Sequence, residues 1–431
     1  MKVKIKQSVL IDALNKGAVA ALSDEAQGDT SNMSLLIKSI KITASKKLII
    51  ESSTSMVGVK YTLEASKDDG IVIEDPGCVL IPAKEFVGWV KAQHESATIG
   101  MSLSELATPE IINPLESLDS SDNSDNDEDM TIKKIGSVKL VAKDLSKTGT
   151  RWELDCYDPS QRKMVNFNEK SDKYFDIEAK QLADGLNKIT FSALDKDYLH
   201  VLDSISIQTY NNGLYFATTD MKRCALYKIP DSSVSNLDLK NPLLIPVSLL
   251  ELTSKISKED HTLSFHYNES LERVFVSQPN LEIRLGCAEK ENVKKFPVVK
   301  KLFSKDYTLL TEIPKDTLNR SLINASLVNS SSALFDFTNG KLKQLVVKAI
   351  SDQSKYKPSV SSSPVESLSQ ETKAIWGVTH LLEVLQKMKS KNIQLYIPDN
   401  NSSVKISGED DQNFSYFAMV IENPKYKTDD S

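Results

Sequence analysis

The chain has few of the residues that build metal sites or disulfide frameworks. Its 431 residues include only five histidines and four cysteines, and no cysteine lies near the closest histidine pair, His261 and His266. Scattered thiols without CxxC or zinc-like spacing are typical of reduced cysteines in a cytoplasm. We therefore expect no metal, no cofactor and a cytoplasmic location. The cysteines are Cys78, Cys156, Cys224 and Cys287.

A long hydrophobic run is also missing. No stretch approaches the length that spans a bilayer. The N-terminal segment 1–17 alternates lysine with apolar residues, unlike a secretory signal. An apolar content of 40% and a charged content of 26% are those of a soluble globular protein, so no membrane partner is expected. The length exceeds one ordinary core and predicts two to four domains.

Signatures of catalysis are missing as well. The sequence contains no GxxxxGK, HExxH or GxSxG motif and no cluster of metal-ligand residues. Asp220, beside Thr219 and Arg223, could serve as a catalytic acid with an anion clamp. A short polar side chain in such a place more often shapes a turn by bonding the nearby backbone. We predict that the protein is not an enzyme.

The acidic residues are unevenly distributed. The net charge is −6, which by itself argues against nucleic acid. Seven acids and no base lie between Glu116 and Asp129, and without them the net charge is +1. This tract lacks the glycine and the terminal glutamate of a calcium loop. We predict a disordered acidic insertion at about 116–130.

One helical pattern occurs three times. In each copy an isoleucine is followed by leucines five and nine positions later, and leucines four apart share one face of a helix. The isoleucine is expected to end the preceding strand. Three copies with identical offsets indicate an internal repeat. The triplets are Ile5, Leu10 and Leu14; Ile177, Leu182 and Leu186; and Ile313, Leu318 and Leu322.

A second helix-like segment follows each triplet, introduced by Pro82, Pro246 and Gly377. A proline at the start of a helix costs little because its missing N–H has no partner there. Strand-like runs fill the intervals, so each unit is two helices on a mostly antiparallel sheet. The sequence therefore predicts an α+β fold of three tandem units, with domains at 1–170, 171–300 and 301–431.

The segment 213–230, GLYFATTDMKRCALYKIP, reads as two antiparallel strands joined at Asp220, Met221 and Lys222. It resembles the ATDGHRLA strand pair of the bacterial DNA polymerase III β sliding clamps. NVKKFPVVKKLF resembles that family's linker into its third domain, through Phe296 and Pro297. DNNSSVKISGEDDQNFSYFAMVI resembles its C-terminal strands. Together with the threefold repeat, these motifs identify the chain as resembling a divergent sliding clamp.

The resemblance implies the clamp fold and a head-to-tail homodimeric ring around double-stranded DNA. The helices would line the hole, and a replicative DNA polymerase and a clamp loader would dock on one face. A sliding ring should hold the DNA backbone by diffuse charge, without reading sequence. An alternative is a peptide-binding scaffold of the same fold that does not encircle DNA. The expected pore-lining residues are Lys16 and Lys188 on the first helices, and Lys84, Lys91, Lys255 and Lys387 on the second.

The family binds a short hydrophobic peptide in a pocket between its second and third domains. We expect Arg223 at the rim with its guanidinium free to bond the peptide. Met221 and Lys222 replace the Gly-His of the family pattern, Cys224 replaces a leucine and Val420 a proline. We therefore expect the pocket to accept a different peptide, or to accept one less tightly. By position, the pocket wall would include Leu202, Thr219, Arg223, Cys224, Pro246, Leu250, Asn329, Ser403, Met419 and Ile421.

Overall fold

The structure is a computed structural model of the whole chain. The acidic tract predicted at 116–130 and the predicted pocket residue Asn329 lie outside the residues that it describes. The described residues are 1–31, 33–112, 132–143, 149–171, 173–197, 199–211, 213–230, 234–235, 239, 242–303, 306–327, 331–338, 344–350, 359–365, 368–398 and 403–421.

Helices and strands alternate along the chain. The α-helices are α1 (Gln7–Gly17), α2 (Asp24–Gly28), α3 (Ser34–Ile37), α4 (Ala83–Lys91), α5 (Ala179–Ile189), α6 (Val247–Ile256), α7 (Lys290–Val293), α8 (Lys300–Phe303), α9 (Lys315–Ser326) and α10 (Val378–Lys387). The strands of the first part are β1 (Lys2–Lys6), β2 (Ser39–Ala44), β3 (Lys47–Ser53), β4 (Val57–Glu64), β5 (Ile71–Asp75), β6 (Gly77–Pro82), β7 (Thr98–Ile112), β8 (Ile132–Lys143) and β9 (Thr150–Tyr157).

The remaining strands follow α4 in the chain. They are β10 (Tyr174–Glu178), β11 (Ser204–Tyr210), β12 (Gly213–Thr219), β13 (Arg223–Ile229), β14 (Val234–Ser235), β15 (Leu243–Pro246), β16 (Thr262–Asn268), β17 (Arg273–Gln278), β18 (Leu281–Gly286), β19 (Thr308–Pro314), β20 (Ser332–Thr338), β21 (Gln344–Ile350), β22 (Val360–Pro364), β23 (Thr372–Gly377), β24 (Asn392–Ile397), β25 (Ser403–Gly408) and β26 (Asp411–Met419).

The three repeated triplets take the predicted form. Each isoleucine lies in the strand immediately before a helix, namely β1, β10 and β19, and the two leucines lie in α1, α5 and α9. All nine side chains are buried. Burial of one apolar stripe is what a 3.6-residue period provides. The second helices, α4, α6 and α10, start directly after Pro82, Pro246 and Gly377. The prediction of three sequence repeats with two helices each is confirmed.

The chain divides into two compact units by its contacts. The first unit is Met1–Tyr174 with Lys255–Gly286. Its strands pair in the order β16-β17-β18-β4-β3-β2-β6-β9-β8-β7-β1-β5, each next to an antiparallel neighbour. α1 packs on β3 and β4, and α4 packs on β2 and β6. The core of this unit therefore lies between one antiparallel sheet and its helices.

The second unit is Phe175–Ser254 with Cys287–Ser431. One of its sheets has the order β15-β11-β12-β13-β26-β25-β24-β19, and another has the order β22-β21-β20-β23. α5 packs on β12 and β13, whereas α9 and α10 pack on each other and on β21 and β20 respectively. β12 and β13 form the predicted hairpin, and β13 also pairs with the last strand, β26. This pairing brings the hairpin turn next to the end of β26.

None of the helices among the described residues combines the length and apolar character that crossing a bilayer requires.

Candidate functional site

The turn between β12 and β13 is held by short polar side chains. One carboxylate oxygen of Asp220 accepts from the backbone N–H groups of Lys222 and Arg223, both at 3.0 Å. The Thr219 hydroxyl donates to the Arg223 carbonyl and accepts from the N–H of Met221 at 3.1 Å. These bonds make Asp220 a turn-forming residue, as its position suggested. The arrangement gives no support to the catalytic alternative.

The guanidinium of Arg223 is held by three acceptors within the second unit. Its Nε donates to Asp220 at 2.9 Å, Nη1 donates to Glu383 on α10, and Nη2 donates to the carbonyl of Phe191 at 2.9 Å. Burial opposes the charge, but Glu383, Tyr416 and Asp220 together outweigh it, so the pKa of Arg223 is raised. The expectation of a free guanidinium at a pocket rim is wrong, because each of its three nitrogens already donates to an acceptor within the protein.

Several residues of the predicted pocket wall are buried, so they are not exposed at the surface. Cys224 lies in an apolar cluster with Leu244, Phe296 and Phe417, and burial raises the pKa of its thiol to about 12. Such a thiol is inert as a nucleophile at neutral pH. Leu202 packs against the same cluster and is half-buried. The other buried members of the predicted wall are Thr219, Pro246, Leu250 and Ser403.

Three exposed apolar side chains, which we call the apolar rim, surround the end of β26. They belong to Met221, Met419 and Ile421, which are 60%, 47% and 41% exposed. The N–H of Met419 donates to the carbonyl of Lys222 at 3.1 Å, and the N–H of Ile421 donates to the carbonyl of Ile375 at 2.8 Å. The first bond holds the end of β26 beside the hairpin turn, and the second holds Ile421 against β23. The apolar rim therefore contains two of the predicted pocket residues, Met419 and Ile421, and one residue that was not predicted, Met221.

An open cavity of about 330 Å³ lies beside this turn. Its link to the turn is Arg223, which bonds the carbonyl of Phe191 and stacks over the Phe191 ring at 5.5 Å. Part of its wall is the first turn of α6, directly after Pro246. Three of its residues are acidic. The lining residues are Thr190, Phe191, Ala193, Leu194, Asp195, Asp203, Val247, Ser248 and Glu251.

The two first-helix lysines, Lys16 and Lys188, are engaged by the protein itself. The Lys16 ammonium bonds Asp12 at 2.7 Å and lies 4.9 Å from the centre of the Tyr61 ring. Burial opposes its charge, but Asp12 and Tyr61 outweigh this, so the pKa of Lys16 is raised. Lys188 bonds Asp411 at 2.6 Å and lies over two aromatic rings. Both ammonium groups therefore have partners within the protein, and their predicted contact with DNA stays a prediction.

The second-helix lysines are more accessible. Lys84, Lys91 and Lys255 are exposed, whereas Lys387 is partly buried and donates to Asn187 at 3.1 Å. Exposed lysines on several helices provide mobile positive charge without a fixed geometry. For metals, the described part of the chain contains no group of three histidine, cysteine, aspartate or glutamate side chains placed to share an ion.

Some residues of this region escaped the sequence-based prediction. Met221 was noticed only as a departure from the family pattern, although its exposure makes it part of the rim. Glu383 had no local signal, because its partner Arg223 is 160 residues away. The acidic cavity residues come from three separate segments, which only the folded chain brings together.

The architecture is that of a DNA clamp: helix pairs repeated three times on antiparallel sheets. No family model matches the sequence, and no curated protein matches it. Solved structures do match. The DNA polymerase III subunit beta from Pseudomonas aeruginosa superimposes with a TM-score of 0.73 at 14% identity, covering 98% of this chain and 100% of that one.

Two further structures agree. The pol III beta of Caulobacter crescentus gives a TM-score of 0.74 at 13% identity, and the beta subunit of the Streptococcus pyogenes DNA polymerase gives 0.73 at 15%. Each comparison covers 98% of this chain and 100% of the other. At these identities the likeness establishes the fold. The chain therefore has the fold of the bacterial DNA polymerase III β sliding clamps along nearly its whole length.

Proposed function

We propose that this protein is a DNA sliding clamp, a processivity factor that encircles duplex DNA and tethers a replicative DNA polymerase. The observation that carries the proposal is the fold match, which spans 98% of this chain and the full length of the clamps. In this proposal residues 1–170, 171–300 and 301–431 are the three clamp domains. Two copies supply the six domains of a ring, and a clamp loader opens it. The protein has no catalytic role.

The exposed second-helix lysines support the DNA part of the proposal. A clamp must slide, so it should contact phosphates through diffuse charge and leave the base edges alone. Lys84, Lys91 and Lys255 suit this, because flexible ammonium groups hold phosphates as point charges. Lys16 and Lys188 are not part of the proposed contact set, since carboxylates already neutralise them.

An apolar patch on α9 and β22 supports the homodimer. Ile323 and Leu327 at the end of α9 are 41% and 76% exposed, and Val360 on β22 is 60% exposed. The hydroxyl of Ser359 donates to the carbonyl of Asn324, which holds this strand against the helix. β22 ends the order of its sheet. A strand at a sheet edge beside exposed apolar side chains suits association with another chain.

The apolar rim is the proposed peptide-docking surface. Its two proposed anchors are Met419 and Ile421, exposed apolar residues two positions apart in the sequence. Such surfaces draw their affinity from burying a few apolar side chains. Polymerase and clamp loader would each present a short segment with two bulky apolar residues to this surface.

Sedimentation equilibrium tests the ring. We expect a species of twice the chain mass at micromolar concentration, because three domains cannot close a ring of six. Replacing Ile323 and Leu327 by aspartate should shift the protein towards monomer, since charges would enter the interface. Val298→Asp is the matched control, because Val298 is an exposed valine outside the patch. A strictly monomeric parent would contradict the ring. The function itself is tested by retention of the protein on a duplex whose two ends are blocked.

A further inference from the structure

Met221 has an unusual backbone conformation for its side chain. Its φ is +75°, in the left-handed region that disfavours residues with a Cβ. Among the described non-glycine residues, those sharing a positive φ are His200, Asn211, Glu272 and Asn280, all of which are polar. Asparagine tolerates this region because its short side chain bonds the local backbone. Methionine has no such compensation, so Met221 is held there by its surroundings.

The surroundings that hold it are the turn bonds. The N–H of Met221 donates to the Thr219 hydroxyl, and Asp220 accepts from the next two N–H groups. These bonds would hold glycine equally well and without strain. The side chain does not repay the strain by packing, because it is 60% exposed. Residues held in disfavoured conformations tend to occur where a ligand binds.

The position of the side chain indicates what it could contact. Met221 precedes Lys222, whose carbonyl accepts from the N–H of Met419, so the two exposed methionines lie on neighbouring segments of backbone. Ile421 is two residues further along the chain from Met419. Methionine is flexible and polarizable, and it adapts to apolar groups of different shape. The rim therefore offers an adaptable apolar surface, not a pocket of fixed shape.

The charges beside the rim indicate the rest of the ligand. Through Arg223 the turn adjoins the cavity that contains Asp195, Asp203 and Glu251. The hydrogen bonds of Arg223 go to Asp220, Glu383 and the Phe191 carbonyl, so none of them is made to these three acids. A peptide with a basic residue next to its apolar residues would complement both surfaces.

We propose that Met221 is a specificity-determining anchor of the peptide-docking surface. It covers an apolar side chain of an extended partner segment, whose neighbouring basic residue reaches the acidic cavity. This inference rests on the proposed function, because it assumes that the rim docks partner peptides. Beyond that function, the inference assigns a role to Met221, whose strained backbone conformation places its side chain for contact with the peptide.

Fluorescence anisotropy on the full-length protein tests the inference. The probe is a fluorescein-labelled hexapeptide with one leucine, one phenylalanine and one lysine as its large side chains. Met221→Gly should weaken binding about tenfold, because an exposed apolar contact is lost. Its melting temperature should stay equal or rise, because glycine relieves the positive φ. Met221→Leu should keep the affinity within about threefold, since an apolar contact remains.

Two controls separate this inference from the proposed function. Asn280→Gly relieves a positive φ of +68° elsewhere and should leave the affinity unchanged. Met419→Ala with Ile421→Ala should weaken binding at least tenfold if the rim docks peptides. If only this double variant loses affinity, the rim is correct and the role of Met221 is refuted. If neither variant loses affinity, or the parent shows no saturable binding, both proposals fail.

A change in the probe tests the basic preference. Replacing the probe's lysine by glutamine should weaken binding about threefold, and equal affinity would refute the preference for a basic residue.

Discussion

The first and second helices of the repeats carry lysines in contrasting environments. On α1 and α5, the ammonium groups of Lys16 and Lys188 lie over aromatic rings and are paired with carboxylates. On α4 and α6, Lys84, Lys91 and Lys255 are exposed to solvent. Matching positions in a repeat therefore need not share one environment. The first set has partners within the protein, whereas the second set is exposed and can meet a ligand.

The acidic partners of Lys16 and Lys188 differ in their distance along the chain and in their exposure. Asp12 lies one helical turn before Lys16 and its side chain is 58% exposed. Asp411 lies on β26, 223 residues from Lys188, and its side chain is only 14% exposed. An exposed pair contributes little because water screens it, whereas a buried pair cannot lose one member without leaving an uncompensated charge. The two lysines should therefore differ in their effect on stability.

The largest expected effect concerns the exposed lysines. Changing Lys84, Lys91 and Lys255 together to glutamate should weaken binding to a duplex oligonucleotide about a hundredfold at low salt, because three phosphate contacts become repulsive. The salt dependence of binding should also become shallower, and the melting temperature should change little. Anisotropy titrations over a salt series measure both quantities.

The control for this triple variant reverses the charge of three lysines that lie on strands. Lys4, Lys47 and Lys139 are exposed and paired with surface glutamates. Their replacement by glutamate changes the net charge equally but should reduce DNA affinity far less. Equal losses in the two triple variants would mean that only net charge matters, and the contrast between helices and strands would fail.

Lys188→Met should lower the free energy of unfolding by about 2 kcal/mol, because Asp411 would remain largely shielded from water without a partner. DNA affinity should remain within about twofold. Urea denaturation gives the free energy, and replacing Asp411 by leucine as well should recover most of the loss. If Lys188→Met instead reduced DNA affinity at unchanged stability, Lys188 would belong to the second set.

Lys16→Met should have the smallest effect, about 0.5 kcal/mol, because Asp12 stays in water. The pKa of Lys16 is raised above its ordinary value of 10.5, so its stabilising contribution is present below that pH and is lost as the pH rises through the raised pKa. The difference in stability between parent and variant should therefore shrink in strongly alkaline solution. A gap that widened there would contradict the assigned ion pair.

Local patterns in the sequence were sufficient for the helices and the hairpin. The leucine spacings predicted α1, α5 and α9, and the apolar runs on either side of Asp220 predicted β12 and β13. Both signals act within about ten residues, where periodicity and turn chemistry decide the structure. The ion pair between Asp12 and Lys16 follows from the same local logic, because residues four apart meet on a helix.

Long-range pairings could not be predicted in this way. Asp411 on β26 pairs with Lys188 on α5, and Glu383 on α10 pairs with Arg223 on β13. Only the folded chain brings these elements together. The resemblance placed Arg223 in the docking region but could not show that its donors are used internally. The left-handed conformation of Met221 was equally hidden, because methionine gives no signal for it.

Retention on DNA of defined topology tests the central claim most directly. The protein is allowed to thread onto a linear duplex attached to a bead at one end, and the free end is then capped by streptavidin on a terminal biotin. After a wash at high salt, which removes protein held only by charge, the duplex is cut at an internal restriction site. A ring predicts that the protein survives the wash on capped DNA, is lost from uncapped DNA, and leaves the capped DNA only after cutting. Equal loss from capped and uncapped DNA during the wash would contradict encirclement.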